Sequence, residues 1–363
     1  MSTREAQTLE GLQVMRAIAA LMVAVHHAME AARAHSPQAM SPDWLTTAGA
    51  AGVDIFFVIS GFIMMVVSFP AGRAPERPGA FLRKRFARIY PFYWAVALGV
   101  IALWTLGSGT IVPNPAMTGE DVFRSLLLAP SDNLLIGVSW TLVHEMNFYI
   151  LFALTLFFGN RLISLIGVSC LLLLQLILAP FFPDAAASFF LGRPIALEFA
   201  FGLALGYAYL RGALKPWHWS VAAAAFAAVV LAPAFIAHES TGGLNAGDRV
   251  WAWGLPAIVL VGACVHWRIG GGRWAKAWLL MGDASYAIYL LHPFVVLAYA
   301  KAIGSVSALA QIPQLPFIAV VTLLCAGFGV AAHVLLERPL TKAVRQLLTQ
   351  KRPRASAAPT PAP

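Results

Sequence analysis

The chain has 363 residues, of which 60% are hydrophobic and 11% are charged, and its formal net charge at pH 7 is +9. A typical soluble domain has about 25% charged residues, so this composition excludes a water-soluble globular protein and indicates a polytopic membrane protein. The three cysteines lie in apolar runs, without the spacing of a disulfide framework or a zinc site.

Apolar runs of about 20 residues, the length that crosses a bilayer as a helix, occur along the whole chain. We predict ten such spans, with approximate limits 12–31, 50–69, 86–106, 136–158, 161–181, 190–210, 216–237, 250–267, 281–301 and 315–337. The predicted fold class is therefore all-α, a polytopic membrane helical bundle of about ten transmembrane helices over residues 1–345. Residues 346–363 are rich in basic residues, proline and alanine, and we expect them to form a disordered cytoplasmic tail.

Basic residues are concentrated on alternate connections between the spans. One side receives Arg73, Arg77, Arg83, Lys84, Arg85, Arg88, Arg161, Arg211, Lys215, Arg268, Arg273, Lys276 and the basic residues of the C-terminal tail. The other side receives Arg33, Arg124, Arg193, Arg249 and Lys301. By the positive-inside rule, this bias predicts that both termini are cytoplasmic. Topology accounts for the positive charge, so the expected surroundings are a lipid bilayer, and no nucleic-acid partner is expected.

Arg16 lies near the start of the first span, and His27 lies about three turns further on. Eleven residues at about 100° each bring both side chains to one helix face, about 16 Å apart along the axis. Such groups within a span commonly face a partner or a water-filled path. The alternative is that Arg16 snorkels to the membrane interface and His27 caps the opposite end of the helix.

The second and third spans add an acid and a cluster of cations. Asp54 lies at the outer end of the second span, with Ser60 and Gly61 further in. Asp54 is either an interfacial cap or a functional acid, and the Ser-Gly pair is typical of close helix packing. Arg85 and Arg88 are i,i+3 neighbours at the start of the third span. They favour either lipid headgroups or the phosphates of an anionic substrate.

The fourth span contains a histidine and an acid, His144 and Glu145, between Trp140 and Tyr149. A carboxylate within a span is too costly to keep without a partner or a function. Either an ion pair with a cation or a role at a functional site would explain Glu145.

The ninth span contains a polar stripe formed by Ser285, Tyr289 and His292, at positions i, i+4 and i+7. Pro293 follows directly and is expected to kink the helix and to free a backbone carbonyl nearby.

Six motifs occur in order over residues 12–339: R-x10-H, G-V-D-I-F-F-V-I-S-G-F, R-x-x-R-I-Y-P, W-T-L-V-H-E-M-N-F-Y, S-Y-A-I-Y-L-L-H-P and E-R-P. Together they resemble the acyltransferase-3 family of integral-membrane acyltransferases, and most closely its exopolysaccharide-production branch. The family often has two adjacent glutamates in the fourth motif, whereas here Glu145 is followed by Met146.

The resemblance implies transfer of an acyl group, commonly acetyl, from cytoplasmic acetyl-CoA to a hydroxyl group. The implied acceptor is an extracytoplasmic or lipid-linked polysaccharide, and the implied location is a bacterial-type inner membrane. Acetyl-CoA or another acyl-CoA is the expected donor, and no metal is expected.

Four residues form the predicted catalytic set: His27, Arg16, Glu145 and Asp54. His27 would accept the hydroxyl proton, directly or through a covalent acyl relay, because its usual pKa of about 6.5 suits a base. Arg16 would orient or stabilise the thioester side. Arg85 and Arg88 would hold the CoA phosphates. The predicted substrate path comprises Ser60, Trp140, Tyr149, Tyr289 and His292.

Two alternatives of other classes fit the same residues. A proton-coupled secondary transporter or exporter would use the intramembrane histidines and carboxylates as a proton relay and would form no covalent product. A non-catalytic glycan-binding subunit would depend on the outer loops and tolerate loss of His27.

Overall fold

The computed structural model describes residues 9–35, 41–106, 117–236, 238–239, 243–244, 246–305 and 313–349. Apart from a two-residue antiparallel ribbon, β1 (His238–Glu239) with β2 (Gly243–Leu244), the regular structure of this part of the chain is helical. The α-helices are α1 (Glu10–His35), α2 (Asp43–Ala48), α3 (Gly52–Ser68), α4 (Pro78–Thr105), α5 (Gly119–Leu126), α6 (Trp140–Leu156), α7 (Arg161–Leu178), α8 (Ala185–Leu191), α9 (Leu197–Leu210), α10 (Trp219–Phe235), α11 (Ala246–Arg249), α12 (Leu255–Cys264), α13 (Arg273–Asp283), α14 (Ser285–Gly304), α15 (Gln314–Ala332) and α16 (Arg338–Thr349). Two π-helical turns, Val250–Gly254 and His333–Glu337, precede α12 and α16.

Within the described residues, six helices are long and apolar enough to cross a membrane, or seven if one bent pair forms a single span. The six are Glu10–Arg33, Asp43–Ser68, Pro78–Thr105, Arg161–Phe181, Ser285–Gly304 and Gln314–Leu348, and the pair is Ala185–Leu191 with Pro194–Leu210, bent by 48°. The prediction of an all-α membrane bundle is confirmed, whereas ten spans and cytoplasmic termini remain predictions. The other predicted spans correspond to shorter helices, such as the 17-residue helices α6 and α10.

Helix α1 packs against α3, α13, α14 and α15, and α3 packs in turn against α9. The last contact is unusually close: a Cβ atom at Gly61 would lie 2.1 Å from the Phe199 carbonyl oxygen, and one at Gly202 would lie 2.1 Å from the Val58 carbonyl oxygen. Only glycine fits at these two positions, as in other closely packed membrane helices. Gly61 therefore serves packing, and this contact sets the position of α3 and the side chains that it carries.

A tight turn joins α6 and α7. Gly159 has φ +59°, a left-handed conformation that glycine adopts without strain. The Asn160 side chain then accepts hydrogen bonds from the backbone N–H groups of Leu162 and Ile163, which caps α7. The two helices consequently form a hairpin.

A polar connection between α4 and α6 is held together outside the spans by Asp121. This carboxylate accepts hydrogen bonds from the Thr118 backbone N–H, from the Ser131 hydroxyl and from the Asn133 amide. The hydrogen bonds, above all the one from the Thr118 backbone, lower the pKa of Asp121 to about 2. At the other end of the chain, α16 continues to Thr349, four residues into the predicted tail, and the rest of that tail lies outside the described residues.

Candidate active site

A cavity of about 130 Å³ lies between α1, α3, α4, α6 and α14. It brings together residues that are up to 273 positions apart in the chain (Arg16 and Tyr289), because the helices that carry them pack around α1 and α3. Its polar lining consists of Arg16, Ser60, Arg85, Arg88, Thr141, Glu145, Tyr149, Ser285, Tyr286 and Tyr289. Seven of the predicted site residues are in this set: Arg16, Ser60, Arg85, Arg88, Glu145, Tyr149 and Tyr289.

The cavity has an excess of positive charge. Arg16, Arg85 and Arg88 face it together with a single carboxylate, that of Glu145. In the described part of the chain, no carboxylate lies within 4.0 Å of any of these three arginines. The Arg85 guanidinium instead lies over two aromatic rings, 5.3 Å from the centroid of Phe81 and 5.9 Å from that of Tyr149. Guanidinium groups without a carboxylate partner are suited to binding an anionic ligand.

Glu145 is held by hydroxyl groups and not by a cation. The Ser60 hydroxyl donates a hydrogen bond to its Oε1 atom over 3.1 Å, and the Tyr149 hydroxyl donates to the same atom. The neighbouring His144 points elsewhere, into an aromatic group that includes Trp140 and Phe190. These hydrogen bonds explain how the fourth motif keeps a carboxylate inside the bundle.

Tyr289 connects the cavity to the histidines. Its hydroxyl donates to the Val138 carbonyl oxygen over 3.0 Å and lies 3.0 Å from the Thr141 hydroxyl. Its ring centroid lies 5.7 Å from that of His292, which is completely buried one turn further along α14. The polar stripe predicted for the ninth span therefore leads out of the cavity lining.

Pro293 determines the tautomer of His292. Proline has no N–H, so the Tyr289 carbonyl, four residues earlier, lacks its helical donor. The Nδ1 atom of His292 lies 2.6 Å from this carbonyl oxygen. Because a carbonyl can only accept, Nδ1 carries the proton, and the Nε2 atom of neutral His292 has a free lone pair.

Hydrogen-bond acceptors also determine the tautomer of His27. Its Nδ1 atom lies 3.0 Å from the Val23 carbonyl oxygen and 3.4 Å from His292 Nε2. Both partners are acceptors, so His27 Nδ1 is the protonated nitrogen. The Nε2 atom of neutral His27 consequently has a free lone pair, as a general base or nucleophile requires.

Four predicted site residues, His27, His292, Asp54 and Trp140, are not among the residues that line the cavity. Asp54 is completely buried and accepts two hydrogen bonds from Arg249, from Nε over 2.9 Å and from a terminal nitrogen over 2.8 Å. Arg249 also donates to the Ala50 carbonyl oxygen, and its guanidinium lies 6.0 Å from the Trp140 ring centroid.

Arg249, which lies 195 positions from Asp54, was not among the predicted site residues. The available signal was that few basic residues occur on the predicted outer side of the chain, and that Arg249 comes directly before the π-helical turn that contains Trp251 and Trp253. Thr141, Ser285 and Tyr286 also line the cavity without having been predicted as site residues. Of these, Ser285 belongs to the polar stripe of the ninth span, and the other two lie inside the matching motifs.

Comparisons with known proteins identify the family of this chain. A family model described as an acyltransferase domain, the acyltransferase-3 model, matches residues 9–332. The exopolysaccharide production protein ExoZ of Rhizobium meliloti (strain 1021) is 36% identical over 307 residues, which cover 82% of this chain and 90% of ExoZ. The acyltransferase MdmB of Streptomyces mycarofaciens is 27% identical over 362 residues, which cover 88% of this chain and 86% of MdmB. No solved structure matches.

The family match covers the helices that form the cavity and those that carry His27 and His292. It favours the enzyme over the transporter and the non-catalytic subunit. The chain therefore belongs to the acyltransferase-3 family and is an acyltransferase.

Proposed function

We propose that this enzyme transfers an acyl group, with acetyl as the expected group, from cytoplasmic acyl-CoA to a hydroxyl of an extracytoplasmic or lipid-linked polysaccharide. One observation carries the proposal. Helix α1 bears Arg16, in a cavity with two further arginines that have no carboxylate partner, and also bears His27, whose Nε2 lone pair is free. The enzyme would thus bind an anionic donor near one end of this helix and activate a hydroxyl near the other.

The donor end is supported by the chemistry of guanidinium groups. Arg85 and Arg88 come from α4 and Arg16 from α1, so phosphates could be bound from two sides. Coenzyme A carries both phosphates and a thioester on a long flexible arm. The helical rise separates Arg16 from His27 by about 16 Å, a distance that such an arm can cover.

The chemical step assigned to His27 is proton transfer at Nε2. This atom takes the proton of the acceptor hydroxyl while the hydroxyl oxygen bonds to the thioester carbonyl carbon. The carbon–sulfur bond then breaks, and the proton passes from His27 to the departing thiolate. In a covalent relay the same Nε2 lone pair would first take the acyl group and then release it to the hydroxyl.

The other predicted residues receive supporting roles. His292 would hold the His27 ring, and Tyr289, between His292 and the cavity, would hold His292. Glu145, with Ser60 and Tyr149, would shape the donor cavity. Asp54 and Arg249 would form a structural ion pair that fixes the start of α3. Asp54 would not contact the substrate.

Trp140 is assigned to the acceptor side. Its neighbour Arg249 bonds to Ala50, and Ala50 lies next to Gly49, where an added Cβ atom would lie 2.8 Å from the His26 Cβ atom. Trp140 is thus at the His27 end of the bundle, where a sugar ring could stack on its indole.

The acceptor class is supported by the similarity to ExoZ, whose name states a role in exopolysaccharide production. The cytoplasmic donor side is supported by the concentration of basic residues on one set of connections. Together these features favour a multi-pass protein of a bacterial-type inner membrane with both termini in the cytoplasm.

The direct test uses a deletion strain complemented with wild type, with His27→Ala or with the control His218→Ala. His218 is exposed and lies at the start of α10, away from the cavity. Mass spectrometry of the surface polysaccharide should show one acyl mass with wild type and with the control. The acyl mass should be absent with His27→Ala, because loss of a general base lowers the rate of acyl transfer by about 10²–10⁴-fold.

Matched membrane levels of the three proteins are needed for this comparison. An acylated polysaccharide in the His27→Ala strain would contradict the role of His27. An unchanged polysaccharide in the uncomplemented deletion strain would contradict the proposed acceptor.

A further inference from the structure

We propose that His26, His27 and Glu30 form a zinc site towards the C-terminal end of α1 and that zinc bound there inhibits the enzyme. The inhibitory part rests on the proposed function, because it requires His27 to act as the base or nucleophile. The binding part rests on geometry alone.

The three side chains converge on one small volume. One potential ligand atom from each residue can be chosen so that all three atoms lie within 4.8 Å of one another. The His26 Nε2 atom is 3.7 Å from the Glu30 Oε1 atom, and the two imidazole ring centroids are 4.8 Å apart. A histidine, its neighbour and a carboxylate one turn later are thus grouped on one side of the helix.

Backbone carbonyls set both histidines in the tautomer that binds a metal. The Nδ1 atom of His26 lies 2.7 Å from the Thr46 carbonyl oxygen, and that of His27 lies 3.0 Å from the Val23 carbonyl oxygen. Each Nδ1 therefore carries the proton, which leaves both Nε2 lone pairs free. Metal-binding histidines almost always donate their other ring N–H to such a carbonyl or to a carboxylate.

The contact between His26 and Glu30 also lacks a donor. With Nδ1 protonated, neutral His26 turns a lone pair at Nε2 toward the Glu30 carboxylate, so two acceptors face each other at 3.7 Å. A cation bound by both atoms would remove this mismatch. The nearby arginines have carboxylate partners of their own, Asp43 for Arg33 and Asp54 for Arg249.

Zinc is the ion that this ligand set fits best. Two imidazoles and one carboxylate form a common three-ligand zinc set with a fourth position open to water. Zinc bonds of about 2.0–2.1 Å require ligand atoms roughly 3.3–3.4 Å apart, so the cluster must contract slightly. Glu30 can supply the movement, because its side chain is 38% exposed, and the same exposure gives ions access from solution.

Bound zinc would use the lone pair on which the proposed reaction depends. A His27 Nε2 atom that is bonded to a metal can neither take the hydroxyl proton nor attack the thioester. Zinc should therefore inhibit the enzyme, and removal of zinc should restore activity.

The binding test uses the purified full-length protein in detergent, stripped of metal with EDTA and titrated with Co²⁺ as a spectroscopic substitute for zinc. Wild type should develop the visible absorption of a protein-bound Co²⁺ ion, and added Zn²⁺ should remove it. Glu30→Gln should bind at least about tenfold more weakly, since even the loss of a group behind a ligand costs about 10–100-fold. The control Glu120→Gln, which changes an exposed carboxylate on α5, should bind as wild type does.

Absence of the spectrum in wild type, or an equal spectrum in Glu30→Gln, would overturn the zinc site. A second assay follows acyl transfer during a Zn²⁺ titration. Wild type and Glu120→Gln should be inhibited and should recover with EDTA, whereas Glu30→Gln should keep its basal activity and require at least about tenfold more zinc.

The two proposals fail in different ways. If wild type binds Co²⁺ but stays fully active when the site is saturated with zinc, the site stands and the role of His27 is wrong. If His27→Ala abolishes acyl transfer but wild type binds no Co²⁺, the proposed function stands and the zinc site is wrong.

Discussion

Two groups of arginines and carboxylates lie inside this bundle, and they differ in how their charges are matched. In one, Arg249 bonds to both oxygens of completely buried Asp54 and to the Ala50 carbonyl. In the other, Arg16, Arg85 and Arg88 face a cavity with only one carboxylate, which is itself bonded to hydroxyl groups. In the first group the arginine and the aspartate bond to each other, next to the buried carboxylate of Glu198, whereas the second group has unmatched positive charge beside open space.

This difference separates structural charges from functional ones. A buried arginine and aspartate that bond to each other leave little charge for a ligand, and the loss of one partner should affect folding. Unmatched guanidinium groups beside a cavity impose a cost on folding that a bound anion removes. Their loss should affect substrate binding more than stability.

The largest expected effect is on the ion pair of Asp54 and Arg249. Arg249→Ala leaves the Asp54 carboxylate buried without its partner, which typically costs about 3–5 kcal/mol. We expect a large fall in folded protein, measured by size-exclusion chromatography and by thermal unfolding in detergent. The double variant Asp54→Ala/Arg249→Ala should recover part of this loss, because it removes both partners of the ion pair. A normal unfolding temperature for Arg249→Ala would contradict the structural role.

The next effect concerns the cavity cations. Arg88→Gln removes a charge that has no carboxylate partner, so the unfolding temperature should stay near that of wild type. The KM for acyl-CoA should rise by about 10–100-fold, the effect of losing a hydrogen bond to a charged group worth about 1.5–3 kcal/mol. Steady-state kinetics in nanodiscs would measure it. Arg83→Gln, an exposed neighbour on α4, is the control and should leave KM unchanged. A lower unfolding temperature without a change in KM would show that Arg88 serves folding and not donor binding.

A smaller effect is expected from Pro293→Ala. The new backbone N–H at position 293 would compete with His292 Nδ1 for the Tyr289 carbonyl oxygen. The tautomer of His292 that is protonated on Nδ1 and directs its Nε2 lone pair towards His27 would then be less strongly favoured. We expect kcat to fall by about 3–10-fold, the equivalent of one hydrogen bond of about 0.5–1.5 kcal/mol. The pH profile of kcat should also shift, which a purely structural defect would not cause. Pro233→Ala, a proline inside α10, provides the control. Unchanged kinetics in Pro293→Ala would contradict the positioning of His27 by His292.

The smallest effect lies outside both groups, in the polar connection around Asp121. Its pKa is lowered to about 2, against about 3.9 in an unfolded chain, so its contribution to local stability is present above pH 4 and is lost as the pH falls towards 2. Asp121→Asn should remove this pH dependence in hydrogen exchange across residues 117–135 and leave acyl transfer at neutral pH unchanged. Exposed Asp132→Asn should keep the wild-type dependence. An equal loss in both variants would show that Asp121 has no special role.

The fold class, the family and several local features of this enzyme could be predicted from its amino-acid sequence. Composition and the lengths of the apolar runs determine that this is a helical membrane protein. Each apolar segment in a bilayer must satisfy its own backbone hydrogen bonds, whatever the rest of the chain does. Helical spacing determines that Arg16 and His27 share a face, and Pro293 determines that a carbonyl on α14 lacks its usual donor. The order of the motifs determines the family.

Only the tertiary structure decided which distant groups meet. It paired Asp54 with Arg249 across 195 positions, and it directed Glu145 to Ser60 and Tyr149 when the sequence left an ion pair open. It also brought His292 to His27, so that the carbonyl freed by Pro293 controls a nitrogen on another helix. Periodicity describes one helix at a time, whereas these contacts depend on how close packing at glycines such as Gly61 places several helices together.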